Sequence, residues 1–335
     1  MKVKPLVSII IVNWNGGKVF ENCLNSLSKI DYPRQELVVV DNGSTDGTEK
    51  YATIRNKNNV GFAKANNQGY KKAKGEYILL LNNDTRVEKD FLTKLIARVE
   101  KDPGIGVIQP KILVMDKPTH LDSVGSFLTW TGFLEHYGFL ARDGKKYNRE
   151  FPVFSAKGAC MLIRREVIEK VGLFDNDYIS YLEETDFCWR VWLAGYKILY
   201  YPKAKILHKV GMTSKRLSQT AVNYHSFKNR IATLFKNLSG FNLIFIGVVH
   251  LIIITGLSFY YLVRFRFREA IMIWRALFWN FIHLSELMVK RSKAQGMRKI
   301  SDRELFKIIL RPFNWKSMFT HFLRSERMLA GKHEV

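Results

Sequence analysis

Val38–Thr48 reads V-V-V-D-N-G-S-T-D-G-T: a β-branched run delivers an acid, and a turn of Gly, Ser, Thr and Asp follows. A short apolar run closed by turn residues reads as a buried strand. The pattern repeats on both sides. Upstream, Leu6–Val12 is apolar and ends in Asn13-Trp14-Asn15-Gly16-Gly17; downstream, Tyr77–Leu81 ends in Asn82-Asn83-Asp84. Helical periodicity fills the gaps. Lys18–Ile30 carries Val19, Phe20, Cys23, Leu24 and Leu27 on one face, Gly61–Lys74 and Val87–Lys101 follow, and Ile105–Gln109 is a further strand. Strands alternating with helices predict an α/β fold with a mostly parallel central sheet, covered on both faces. Ligands of such sheets collect at the carboxyl edge, where this sequence places Asn13, Asp41 and Asp84.

From Lys111 to Phe151 the pattern loosens into Gly, aromatic and charged residues, predicting loops and short antiparallel strands. Order returns as a strand at Ala159–Ile163, helices at Arg165–Val171 and Tyr181–Ala194, and a strand at Tyr196–Tyr200. Gln219–Asn237 is a basic amphipathic helix. Phe241–Val263 is apolar apart from Asn242, His250 and a few hydroxyls, and as a helix of roughly 35 Å it would cross a bilayer core. Ala270–Val289 is apolar but amphipathic, which favours a helix at the interface, and Arg298–Leu329 is a basic tail. The expected organisation is an α/β domain over residues 1–218 and a basic helical region over 219–335.

The charge is divided unevenly along the chain. Of the 335 residues, 1–186 carry 27 Lys+Arg against 24 Asp+Glu, whereas 187–335 carry 26 against 6, and no acid lies between Asp186 and Glu269. A basic half invites nucleic acid or an anionic membrane surface. The longest apolar runs sit in that same half and no nucleic-acid-binding motif is visible, so an anionic lipid surface is the expected partner, and nucleic acid is not. Eight prolines and no repeated block exclude collagen-like and solenoid architectures. Three cysteines without metal spacing point to a reducing compartment.

Four places can carry chemistry, and each has a plainer structural explanation beside it. Asp41 can accept a hydrogen bond from a base or ribose, though its segment is also an ordinary strand-to-helix turn. Asp84, past an apolar strand, can hold a divalent cation against a diphosphate or merely cap a helix. Glu183, Glu184 and Asp186 crowd beside Tyr178, Tyr181, Phe187 and Trp189. Carboxylates are favourable at a helix N-terminus anyway, but crowding beside aromatics raises a pKa toward that of a general base. His208 is by default a loop histidine, and a metal ligand if Asp84 is its neighbour.

Taken in order, these segments resemble glycosyltransferase family 2, inverting nucleotide-sugar transferases of GT-A fold. The resemblance runs from about Leu6 to Thr213 through V-S-I-I-I-V-N-W-N-G, V-V-D-N-G-S-T-D-G-T, N-V-G-F-A-K-A-N-N-Q-G, L-L-N-N-D-T, K-G-A-C-M-L-I-R-R-E and E-E-T-D-F-C-W-R. It looks most like the rhamnosyltransferase-like branch that builds surface polysaccharides. The resemblance implies a Rossmann-like nucleotide-sugar domain followed by membrane-associated helices. It implies donor nucleotide contacts at Asn13, Asp41 and Asn66, and Mg²⁺ or Mn²⁺ held by Asp84 and His208. Glu184 falls where the family has its catalytic Asp, with Glu183 as the neighbouring choice and Asp186 further along the same motif. Asn82 stands where the family's D-x-D has its first Asp, which weakens the metal shell. The donor would be a nucleotide-diphosphate sugar and the acceptor a saccharide, lipid-linked or at the cell surface, or alternatively polyprenyl phosphate. The catalytic domain is expected on the cytoplasmic side of a membrane.

Overall fold

The computed structural model describes residues 3–210 and 219–312. The chain runs β1 (Val7–Asn13), α1 (Gly17–Leu27), β2 (Gln35–Asp41), β3 (Ile54–Arg55), α2 (Phe62–Lys72), β4 (Tyr77–Leu81), β5 (Thr85–Val87), α3 (Phe91–Val99) and β6 (Ile105–Val114). Next come β7 (Lys117–Ser123), β8 (Ser126–Thr129), β9 (Leu134–His136) and β10 (Phe151–Pro152). The α/β part closes with β11 (Cys160–Arg164), α4 (Arg165–Val171), α5 (Glu183–Leu193) and β12 (Lys197–His208). Helices α6 (Gln219–Asn237), α7 (Gly240–Val263), α8 (Phe267–Ile282), α9 (Leu284–Gly296) and α10 (Asp302–Ile309) follow, with a two-residue β13 (Leu310–Arg311).

The main sheet has the order β10-β12-β6-β11-β4-β1-β2-β3, with β5 on β12 and β7 on β6. β1 lies parallel to β2 and β4, in a register that sets Asn13 opposite Asp41. The centre is not parallel throughout: β11 runs against both β4 and β6. Side-chain alternation divides the core in two. Ile9, Ile11, Leu79 and Leu81 enter one layer, Ile10, Ile78 and Leu80 the other. The three thiols are buried, and burial pushes Cys23 up to about 11 and Cys188 to about 12.

Three expectations shift. Val87, read as the start of a helix, instead ends a strand, Thr85–Val87, on β12, and the helix starts at Phe91. β-Branched residues at 85 and 87 suit a ladder better than a first helical turn. β12 continues past Tyr200 to His208 across a register shift between Tyr201 and Lys205, where Pro202 interrupts the ladder. Ala270–Val289 is not one helix: His283 separates α8 from α9, stacking on Trp279 and placing Nδ1 2.9 Å from its carbonyl oxygen. Of the basic tail Arg298–Leu329, the part from residue 313 on lies outside the described residues.

The basic helices are not an appendage. Ala232, Leu234, Leu238, Ile246, Leu287, Leu305 and Ile309 belong to the same buried cluster as Ile10 and Leu80 of the sheet. The main polar tie is a buried ion network. Lys236 of α6 lies 2.8 Å from Asp175 and 3.0 Å from Asp186, while Lys290 of α9 reaches Asp175 at 2.6 Å. Burial disfavours the Asp175 anion, but Lys236 and Lys290 outweigh it and hold the carboxyl well below the usual range.

A group with a depressed native pKa stabilises the fold above its unfolded pKa, and that contribution is lost as pH falls below it. Asp175→Asn is therefore expected to cost about 3–5 kcal/mol at pH 7. It should also flatten the loss of stability as pH falls below about 4. Urea unfolding of both proteins at pH 7 and near pH 2 checks the sign; equal stability at pH 7 would remove the network from its role.

Candidate functional site

Two adjacent strand ends build the first half of the site. The Asn13 amide donates to Asp41 Oδ1 at 3.2 Å, Ser44 Oγ at 3.2 Å and Thr48 Oγ1 at 2.8 Å, and its oxygen accepts from Asn83 at 2.9 Å. Asp41 Oδ2 accepts the backbone N–H groups of Gly43 and Ser44 at 3.1 and 3.0 Å. The acid is fully buried, so it first holds its own turn. Asn66 lies inside α2, its amide donating to the Phe62 carbonyl, and among the described residues no hydrogen bond joins it to Asn13 or Asp41.

The second half forms where β4 meets β12. Asp84 follows β4, His208 ends β12, and β5 between them pairs with β12 so that His208 lies opposite Thr85. His208 Nε2 is 3.1 Å from Asp84 Oδ1 and 3.5 Å from the Asn82 amide; its Nδ1 is 2.9 Å from Asp122 Oδ2. All three of Asp84, Asp122 and His208 are buried. Burial alone would push the His208 pKa down, but the Asp122 and Asp84 carboxylates on either side of the ring win and bring it to about 9. Cys23 Sγ packs behind the turn, 3.7 Å from the Asn82 carbonyl oxygen.

These residues fit a divalent cation. Asp84 Oδ1 is buried without a hydrogen bond, although it faces the imidazole nitrogen. An imidazole whose far nitrogen is fixed by a carboxylate is the usual arrangement of a metal-ligating histidine. Among the described residues no group of three His, Cys, Asp or Glu side chains could hold a metal ion. Two side chains leave the remaining positions to phosphate oxygens and water.

The acidic loop supplies the third element. Tyr181 and Leu182 both adopt positive φ, 72° and 65°, a conformation costly for bulky residues. They turn the chain so that α5 opens with Glu183 and Glu184. Glu183 is buried, Glu184 half-buried, and Glu184 borders Gly158, where a Cβ would lie 3.8 Å from its carboxyl carbon. Gly158 is one residue from Ala159, whose carbonyl accepts the Asn82 N–H at 3.0 Å, so Glu184 adjoins the end of β4. Burial raises the pKa of both glutamates, and the Glu184 charge raises that of Glu183 further; the Lys157 charge partly offsets the rise at Glu184.

Asp186 is not brought to this place. It is bound 3.1 Å from Arg190 Nε and 3.0 Å from Lys236, in the ion network under α5. The helical spacing explains it: two residues on from Glu184 the side chain points to a different face. Asp122 and Lys157 are the residues that sequence reasoning missed. Asp122 lay in a stretch read as loops, and only the pairing of β7 with β6 carries it to His208. Lys157 opens the quoted K-G-A-C-M motif, but nothing in the sequence sets it beside both Asp122 and Glu184, whose electrostatics it lowers together.

The same segment matches a known family. Residues 8–172 fit the model described as Glycosyl transferase family 2. That match covers just under half of this chain. Among curated relatives, the chain is 27% identical to a low-salt glycan biosynthesis hexosyltransferase of Haloferax volcanii over 67% of this chain and 74% of that protein. It is 24% identical to the poly-β-1,6-N-acetyl-D-glucosamine synthase of Staphylococcus epidermidis over 59% of this chain, and there it spans about half, 48%, of the relative's length. The solved structure of GalNAc-T7 with UDP, GalNAc and Mn²⁺ superposes with a TM-score of 0.58 at 20% identity, over 70% of this chain and 48% of that one. This likeness confirms the expected GT-A fold.

The triad makes a prediction. Asp122→Asn should weaken Mn²⁺ binding in the presence of nucleoside diphosphate by about 10–100-fold, because the imidazole loses the partner that fixes its orientation. Calorimetric titration reads this directly. Unchanged Mn²⁺ affinity would leave Asp122 a purely structural acid.

Proposed function

We propose that this protein is an inverting glycosyltransferase that moves a sugar from a nucleotide-diphosphate sugar to a hydroxyl of a lipid-linked or cell-surface saccharide, working at a membrane surface. The observation that carries the proposal is the meeting of a buried Asp84 oxygen, His208 and Glu184 at the end of β4. Mg²⁺ or Mn²⁺, when bound by Asp84 and His208, would neutralise the departing diphosphate. Asn13, Asp41 and the turn after β2 would seat the nucleotide, with Asn66 of α2 as a further contact to it.

Glu184 is the general base. It is the half-buried member of the pair, and Lys157 favours its anion while the more deeply buried Glu183 keeps its proton. It takes the acceptor hydroxyl's proton as that oxygen bonds to the anomeric carbon and the carbon–diphosphate bond breaks. One base on one face, with no second nucleophile, gives inversion. Asn82 leaves the metal shell one charge short, consistent with a cation that binds together with the diphosphate.

The membrane part rests on α7. This helix is long and apolar enough to cross a bilayer by length and composition, and 22% of its most apolar window is buried. Ile246, His250, Ile254, Ser258 and Tyr261 form one buried row, at spacings that fall on one helix face. His250 Nδ1 is 2.9 Å from the Thr131 carbonyl oxygen of the α/β part. The opposite row, from Phe241 through Val248 and Ile252 to Phe259, is exposed, as are Ile271, Trp274, Phe278 and Phe281 of α8. A helix fastened along the catalytic domain and apolar on its far side suits one leaflet better than a crossing, with Arg264 and Arg268 at headgroup level.

Glu184→Gln should lower kcat by about 10²–10⁴ while donor affinity holds, whereas Asp84→Ala should weaken metal-dependent donor binding. If the Glu184 variant loses donor affinity as badly as the Asp84 variant, the roles are misassigned. Full activity in Glu184→Gln would move the base to Glu183. For the membrane part, an impermeant thiol reagent on intact cells should label neither Arg264→Cys nor Ile300→Cys. Labelling at 264 alone would mean a crossing hairpin, and labelling at 300 would put the catalytic domain outside.

A further inference from the structure

Arg230 of α6 has no carboxylate partner among the described residues. It sits in the stretch between Asp186 and Glu269 that holds no acid. Its Nε is buried and has no hydrogen-bond partner among the described residues. Burial pushes its pKa down to about 10, and no carboxylate pulls it back. Its one close neighbour of note is an aromatic ring: the guanidinium lies 4.6 Å from the centroid of Phe133. On that ring, 4.8 Å away, lies the imidazole of His250. His250 is buried, its Nδ1 committed to the Thr131 carbonyl, its Nε2 without a partner. Burial, and then the Arg230 charge, hold this imidazole neutral with a pKa near 3. Donation from Nδ1 then leaves Nε2 a hydrogen-bond acceptor.

This guanidinium and an unmet acceptor thus share one aromatic neighbour, in the seam between the Thr131–Phe133 turn and α7. A half-buried guanidinium whose Nε has no partner among the described residues suits an anion. The far side of α7 is the exposed apolar row, which directs the seam's ligand toward lipid. We propose that this seam binds the phosphate of a lipid, with an anionic oxygen on Arg230 and a neighbouring hydroxyl donating to His250 Nε2. A glycerophosphate headgroup offers that pair, and so does the phosphate joining a saccharide acceptor to its lipid. The inference rests on the bilayer reading of the α7 face. It also links to the acidic loop: Asn229, beside Arg230, donates to the Ser180 and Tyr181 carbonyls just ahead of Glu183.

The test uses the full chain, Arg230→Gln and Arg230→Lys. Farnesyl diphosphate is titrated by calorimetry in detergent, and flotation is measured on phosphatidylglycerol and phosphatidylcholine vesicles. Donor nucleotide binding serves as the check on folding. Arg230→Gln should weaken binding about tenfold, the size of one charge-assisted hydrogen bond, with donor binding unchanged. Loss for farnesyl diphosphate alone assigns the site to a lipid-linked acceptor, and loss for phosphatidylglycerol vesicles alone assigns it to a headgroup. If the glutamine variant fails to fold, Arg230→Lys decides: lysine keeps the charge without the planar fork and should bind more weakly than wild type. Wild-type binding of both probes by the folded variant overturns the proposal. Failure of all vesicle binding would sink the bilayer reading, while the farnesyl diphosphate titration would still test the seam. Loss of transferase activity without any change in either probe would count against it too.

Discussion

Lys236 is the constraint on which the site depends. One ammonium, buried between α5 and α6, is shared by Asp175 and Asp186. Neither acid tolerates burial alone, so the helices that follow residue 219 must be in place before the loop ahead of α5 can hold its shape. Other α6 contacts reinforce the same loop. Tyr178 Oη pairs with Thr233, Lys228 donates to the Asp177 carbonyl, and Asn229 holds the Ser180 and Tyr181 carbonyls. The strained pair Tyr181 and Leu182 persists because this many contacts over-determine it. The geometry of the candidate site in the α/β part is thereby fixed by residues outside it.

Much of the α/β part was legible because its information is local. Strands buried on both faces are apolar runs, and each stops at a polar residue where the chain leaves the sheet. That logic placed β1, β2 and β4 and the edge formed by Asn13, Asp41 and Asp84. It failed where long-range pairing decides. β11 is as apolar as any parallel strand, so nothing in Cys160–Arg164 announces that it runs against β4 and β6. His208 was visible as a candidate, and β12 ends so that its Nε2 lies 3.1 Å from Asp84. Asp122 was not, since only a β6–β7 pairing with irregular register carries it under the imidazole.

Spacing alone misled at Asp186. Three acids in four residues look like one cluster in a sequence, but helical geometry sends Glu184 toward Gly158 and Asp186 toward Lys236. The charge asymmetry misled in a similar way. A change of composition near residue 187 looks like a domain boundary. Yet the hydrophobic cluster around Ile10 runs on through Leu234, Ile246 and Leu305, because apolar positions in the basic helices were chosen to cover the sheet. Net charge describes a surface and does not report where a core ends.

The buried thiols have a practical side. Cys23, Cys160 and Cys188 are inaccessible, and Cys23 and Cys188 are held protonated by burial, so the folded chain is silent toward alkylating reagents. Cys23 also touches the Asn82 carbonyl, the first link of the turn that carries Asp84. Its alkylation rate is therefore an internal clock for the breathing of that turn, readable by mass spectrometry on the native chain without any introduced probe. A ligand that settles on the turn would slow the clock at Cys23 while leaving Cys188, on α5, to keep the time of the fold as a whole.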